Sequence, residues 1–180
     1  CGIDFLFGVN AVACRSQMDL FSKYHIGVIA LGAFPGWGGG NGTKAGQMNT
    51  LRPRTMFEEK LAVCHEKYDH PAIWLWDLCD EPSAKDFAHV GEMCRLFAEK
   101  VPEAPAYVNL YPNYAQVAKN SGAETISQLG VPTYADYIAE YCRQVPLDYI
   151  SYDFYVYTLN FAKRDWMLTK MYGNYQVVAD

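Results

Sequence analysis

Five short apolar runs, at 3–9, 25–31, 73–78, 106–110 and 149–152, alternate along the chain with stretches whose apolar residues return every three or four positions. Runs of that length rich in aliphatic and aromatic residues read as buried strands, and the three- and four-residue steps read as one face of a helix. The stripes are Cys14, Met18, Phe21 and Tyr24; Met56, Lys60, Leu61, Cys64 and Tyr68; Phe87, Val90, Cys94, Phe97 and Val101; Tyr137, Ile138, Tyr141 and Val145; and Trp166, Met171, Tyr172, Tyr175 and Val178. Strands linked in one direction by helical crossovers pair in parallel, and the Ile3 run is expected to be covered on both faces. The order predicts an α/β fold, either an open doubly wound sheet or part of an eight-stranded (β/α)8 TIM barrel, and composition does not decide between them.

The 180 residues are 51% hydrophobic and carry no charge-rich tail, which suffices for one core. The chain begins at Cys1 in a strand-like run and stops at Asp180 within a helical stripe, so residues 1–180 read as a single, incomplete domain. A net charge of -5 with scattered Lys and Arg argues against a nucleic-acid partner, and no apolar run is long enough to span a membrane. The six cysteines, at positions 1, 14, 64, 79, 94 and 142, form no C-x-x-C pair and read as free thiols. Free thiols favour a reducing, cytoplasmic compartment but leave the localisation open.

Polar residues collect just past the ends of the apolar runs: Asn10, the Trp37 loop, Asp80-Glu81, Asn109 to Tyr111, and Asp153 to Tyr155. In a barrel these five places converge on one mouth. The segment from Ala33 to Arg54, with its glycines, two prolines and Trp37, reads as a long loop. Ser83-Ala84-Lys85-Asp86 and Thr133-Tyr134-Ala135-Asp136 both have the spacing of a capping box. Trp74 and Trp76, alternating within the third run, are expected to wedge against helices. Glu81 carries two readings: a general acid whose carboxyl is lifted by partial burial and by Asp80, or an acceptor for amides at the start of the next helix. Two near-misses are set aside, the G-x-G-x-x-A spacing of Gly40 to Ala45, and His65-Glu66 with His70, where the second histidine comes one position too late for H-E-x-x-H. Surface or capping roles are expected for these.

His70-Pro71-Ala72-Ile73-Trp74, then Asp80-Glu81-Pro82, then Tyr149-Ile150-Ser151-Tyr152-Asp153 with Tyr155, resembles the fourth and sixth strands of clan-A glycoside hydrolases, the barrel family that includes β-galactosidases and cellulases. On that resemblance the runs at Ile3 and Ile26 correspond to the second and third strands and the run at Ala106 to the fifth. It implies that Glu81 is the acid/base, and that the nucleophile, a glutamate ending the seventh strand, lies outside this chain, as do the first and eighth strands. It also implies retaining hydrolysis of β-linked glycosides, with the two carboxyls about 5 to 5.5 Å apart in the complete protein. The family's asparagine before the glutamate, which contacts the sugar 2-hydroxyl, is Asp80 here; aspartate accepts that hydrogen bond but cannot donate one. Asp80, Trp37, Asn109, Tyr111, Asp153 and Tyr155 are the expected carbohydrate contacts, with Tyr114 and Tyr157 as further aromatics. No metal or organic cofactor is implied, and no histidine cluster sits at the strand ends for a metal-dependent hydrolase. The alternative is a carbohydrate-binding barrel without catalysis. An unclosed barrel, with two unpaired strand edges, is expected to self-associate and to be inactive alone, its oligomeric state open.

Overall fold

In the computed structural model four strands form one parallel sheet in chain order: β1 (Phe5–Asn10), β2 (Gly27–Leu31), β3 (Ile73–Asp80) and β4 (Ala106–Asn109). The structure describes residues 4–11, 15–37, 44–67, 69–113, 115, 128–153 and 176–179. Helix α1 (Arg15–Lys23) crosses from β1 to β2, α2 (Met48–Leu51) and α3 (Arg54–Lys67) lie between β2 and β3, α4 (Phe87–Lys100) leads to β4, and α5 (Tyr134–Gln144) follows it. The fold is therefore mixed α/β, with parallel strands alternating with helices. Among the described residues no helix is long and apolar enough to cross a membrane.

The periodic stripes meet in one core. Met18 of α1, Phe57, Leu61 and Cys64 of α3, Phe87, Val90, Cys94 and Phe97 of α4, and Tyr137, Ile138 and Tyr141 of α5 are all buried with Val28, Ile73, Trp76, Leu78, Ala106 and Val108 of the sheet. Each such large side chain contributes about 1.5 to 3 kcal/mol when fully buried. Phe34, just past β2, joins the layers, its ring 5.7 Å from Phe57, 6.0 Å from Trp76 and 5.1 Å from Phe97. Helices α4 and α5 pack closely at Gly91, where a Cβ would stand 2.1 Å from the Gln144 carbonyl oxygen. Thr133 caps α5 by accepting from Asp136 N at 3.0 Å. Cys64, Cys79 and Cys94 are free and buried, and burial pushes all three thiols up, which keeps them unreactive. Cys142 is free and exposed, and Cys1 and Cys14 lie outside the described residues.

The other face of the sheet is curled. Strands β1 and β4 are separated by β2 and β3, and in a flat sheet they would lie about 14 Å apart. Yet the rings of Phe7 on β1 and Tyr107 on β4 have centroids only 5.6 Å apart. Irregular register between Phe7 and Val9, where Gly8 has φ 85°, between Val28 and Ile29, and between Asp77 and Cys79 accompanies the bending.

Several expectations are corrected. The Ile3 run is not covered on both faces: among the described residues nothing packs over Phe5 and Phe7, which are 57% and 55% exposed. Trp76 is wedged in the core, but Trp74 is 47% exposed and lies across β2 at Gly27, where a Cβ would meet its ring at 2.0 Å. The 33–54 segment is not all loop, since α2 forms within it and Arg54 opens α3. The fifth run forms no strand among the described residues; its backbone makes one parallel bridge, Tyr152 to Leu110 just past β4, and its side chains bond to β4 from Tyr149 and Ser151. The Ser83 box closes only halfway. Its hydroxyl accepts from Lys85 N at 3.4 Å and starts a 3₁₀ turn, Ala84–Asp86, whereas the Asp86 carboxylate turns away to accept from Gly46 N at 3.0 Å and Met48 N at 2.9 Å. His70, expected at the surface or as a cap, is buried, and its Nδ1 accepts from the Ala72 backbone N while Nε2 faces Asp19. The last stripe lies outside the described residues except for a helical turn at 176–179.

Candidate active site at the end of β3

Strand β3 ends between two neighbours that hold its last two peptides. Asp80 N donates to the Trp37 carbonyl at 2.7 Å and Glu81 N to the Asn109 carbonyl at 2.8 Å. Glu81 then leaves the strand with φ 49°, in the left-handed region that a residue with a Cβ rarely occupies. Such backbone persists only where its surroundings enforce it. Here the next residues are fixed by distant elements: Tyr137 of α5 donates its hydroxyl to the Pro82 carbonyl at 2.7 Å, and Ala84 N donates to the Leu129 carbonyl at 2.9 Å.

The side chains around this bend are mostly acidic. Partial burial, then the nearby Asp80 and Asp153 carboxylates, push the Glu81 carboxyl up to about 7. Burial raises Asp80 as well, opposed by its hydrogen bond from Asn109 Nδ2 at 2.9 Å and reinforced by Asp153. Deeper along β3, burial and then Asp80 push Asp77 up to about 6, against the pull of Arg52. The Arg52 guanidinium is itself buried, donating from Nη1 to the Leu78 carbonyl at 2.8 Å and stacked 4.8 Å from the Phe57 ring.

Of the residues singled out in the sequence, Glu81, Asp80, Asn109, Tyr111 and Asp153 gather at the carboxyl ends of β3 and β4 and along the adjoining 150–153 segment. Asn109 is buried and closes β4. Asp153 is half-buried, and its N–H donates to the Leu110 carbonyl at 3.2 Å. Trp37 reaches the site through its carbonyl, while its ring is only 6% exposed and packs in the core, with Nε1 unpartnered among the described residues. Tyr111 is 1% exposed; its hydroxyl has no partner among the described residues, and burial followed by Glu81 and Asp80 raises its phenol above the usual range. Tyr155, Tyr114 and Tyr157 lie outside the described residues.

Four contributors went unnoticed in the sequence as parts of a site. Tyr107 and Ser151 connect to Asn109 by hydrogen bonds, Tyr137 holds the turn after Glu81, and Asp77 lies below Asp80. Tyr107 was legible in principle, because residues two apart on a strand share a face and Asn109 was already marked. Among the described residues no group of three or more His, Cys, Asp or Glu is arranged to hold a metal ion. The arrangement offers a carboxyl that is protonated near neutrality, a neighbouring carboxylate acceptor and an amide donor, a set suited to proton transfer on a hydroxylated ligand. No protein-family model matches the chain, and no curated protein matches it.

Proposed function

We propose that the chain carries the acid/base half of a retaining glycoside hydrolase of the clan-A kind, built as part of a (β/α)8 barrel and acting on β-linked glycosides. The observation that carries this reading is Glu81, a half-buried carboxyl at the carboxyl end of a parallel strand, raised to about 7. A carboxyl with that value is about half protonated at neutral pH, so it can give a proton to a departing glycosidic oxygen and later take one from water. Asp80 and Asp153 supply acceptors for sugar hydroxyls, with Asn109 behind Asp80 as its buried donor. The curl that brings Phe7 to Tyr107 supports a barrel over a flat open sheet. Among the described strand ends only that of β3 carries carboxyls, so the reading assigns the nucleophile to another strand.

Binding without hydrolysis is the second reading, kept by Asp80, which stands where the resemblance calls for an amide donor. Turnover of aryl β-glycosides by the full-length protein separates the two. Glu81→Gln is expected to lower kcat by about 10²-fold or more for poor leaving groups, and to abolish the decline in rate as pH rises through about 7. Undiminished turnover in that variant overturns the assignment of Glu81, and oligosaccharide binding with no turnover in the wild type selects the second reading.

A further inference from the structure

A line of hydrogen bonds runs from the concave face of the sheet to Asp80. Tyr107 Oη lies 2.6 Å from Ser151 Oγ, Ser151 Oγ donates to Asn109 Oδ1 at 3.4 Å, and Asn109 Nδ2 donates to Asp80 Oδ1 at 2.9 Å. The directions follow from what each group can give. An ionised carboxylate only accepts, so the amide turns Nδ2 toward Asp80 and Oδ1 toward Ser151. The one Ser151 proton is then spent on Asn109, which leaves Tyr107 as the donor to Ser151. If Asp80 held a proton toward Asn109, the amide would have to reverse, with Oδ1 on Asp80 and Nδ2 on Ser151. The amide thus holds Asp80 Oδ1 as an acceptor, and a proton on that oxygen would break the arrangement. Asn109 is 5% exposed, so water is a poor substitute for either partner, and its carbonyl already fixes Glu81 N at 2.8 Å.

We propose that Asn109, oriented by Ser151 and Tyr107, is the positioning residue that holds Asp80 as a hydrogen-bond acceptor and so decides that, of the two adjacent carboxyls, Glu81 carries the proton. This rests on the reading of Glu81 as the acid and adds what sets its protonation. The groups facing the pair come from every neighbouring element: Asp77 on β3, Tyr107 on β4, Tyr111 just past it, Asp153 on the 150–153 segment, and Arg52 ahead of α3, which acts on Asp77. Burial and Asp153 both push Asp80 up, and the Asn109 bond pulls it down. Asp80, once ionised, adds to the burial that pushes Glu81 up. Two acids coupled this closely titrate as a pair, and the meaningful quantity is the share of the upper step that each carries.

Carbon-13 NMR titration of the side-chain carboxyls in the full-length protein reads that share directly and needs no turnover. In the wild type the Glu81 carbon is expected to carry most of the upper step. In Asn109→Leu, where the donor to Asp80 is gone, the Asp80 share is expected to grow by about twofold or more, with the Glu81 share falling to match. Ser151→Ala, at a half-buried position, should move the balance in the same direction by less, and it carries the test if Asn109→Leu does not fold. An unchanged partition in folded variants overturns the proposal. Failure of the hydrolase reading looks different: turnover is absent although the partition shifts.

Discussion

Glu81 and Asp77 hold carboxyls that burial lifts to about 7 and about 6, near the end of the same strand. A carboxyl raised in the folded state binds its proton more tightly there than in the unfolded chain. Its contribution to stability is therefore full below the unfolded value of about 4 and is lost as pH climbs through 6 to 7. Asp77→Asn removes one of these titrations. In urea denaturation it is expected to match the wild type near pH 3, below both values, and to exceed it by about 1 kcal/mol at pH 8, after allowance for solvent screening. Lower stability than the wild type at pH 8 would show that the attraction to Arg52 outweighs burial. Glu81 was legible in the sequence because an acidic pair closed an apolar run. Its left-handed backbone was not, since that conformation is imposed by Asn109, Pro82 and Tyr137 from outside β3. Trp37 and Tyr111 were expected as carbohydrate contacts, and both are buried; a loop's course cannot be deduced from its composition.

At the scale of elements, Asp86 links two pieces that the sequence shows as separate. Its buried carboxylate accepts from the backbone of Gly46 and Met48 and so anchors the start of α2 to the start of α4, while Gln47 at the α2 N-cap makes no side-chain cap. Asp86→Ala leaves two amides without their acceptor and is expected to lower stability by about 2 to 4 kcal/mol in urea denaturation. Asp86→Asn keeps one acceptor oxygen and should recover part of that loss; equal losses in both variants would mean that shape rather than charge and acceptor count matters there. The helices α1, α3, α4 and α5 were legible because each turns a periodic apolar face to one core. Helix α2, four residues long, has too little periodicity to read. The fifth run has strand composition but only one bridge, to Leu110 just past β4, among the described residues, since pairing depends on alignment that composition does not encode.

At the scale of the molecule, the helix-covered face is closed and the concave face is not. Phe5, Phe7 and Trp74 are exposed there, and β1 has no strand on its outer side among the described residues. Unpaired edges and contiguous apolar surface promote association, so the chain expressed by itself is expected to sediment as a concentration-dependent mixture, and Phe5→Lys with Phe7→Glu should shift it toward the monomer. A single species of monomer mass across the concentration range would contradict this. The alternating order predicted the parallel sheet and left a flat or a barrel-like curvature open; the bulges and the ring contact between distant strands that accompany the curl were not legible. That curl also dictates an order of events during synthesis. Phe7 and Tyr107 stand 100 positions apart in the chain, so their contact closes only after β2 and β3 have been laid between them. Contacts of such long range make for slow folding, and until β4 emerges from the ribosome the Phe7 ring lacks its Tyr107 neighbour, the interval in which a chaperone would be most needed.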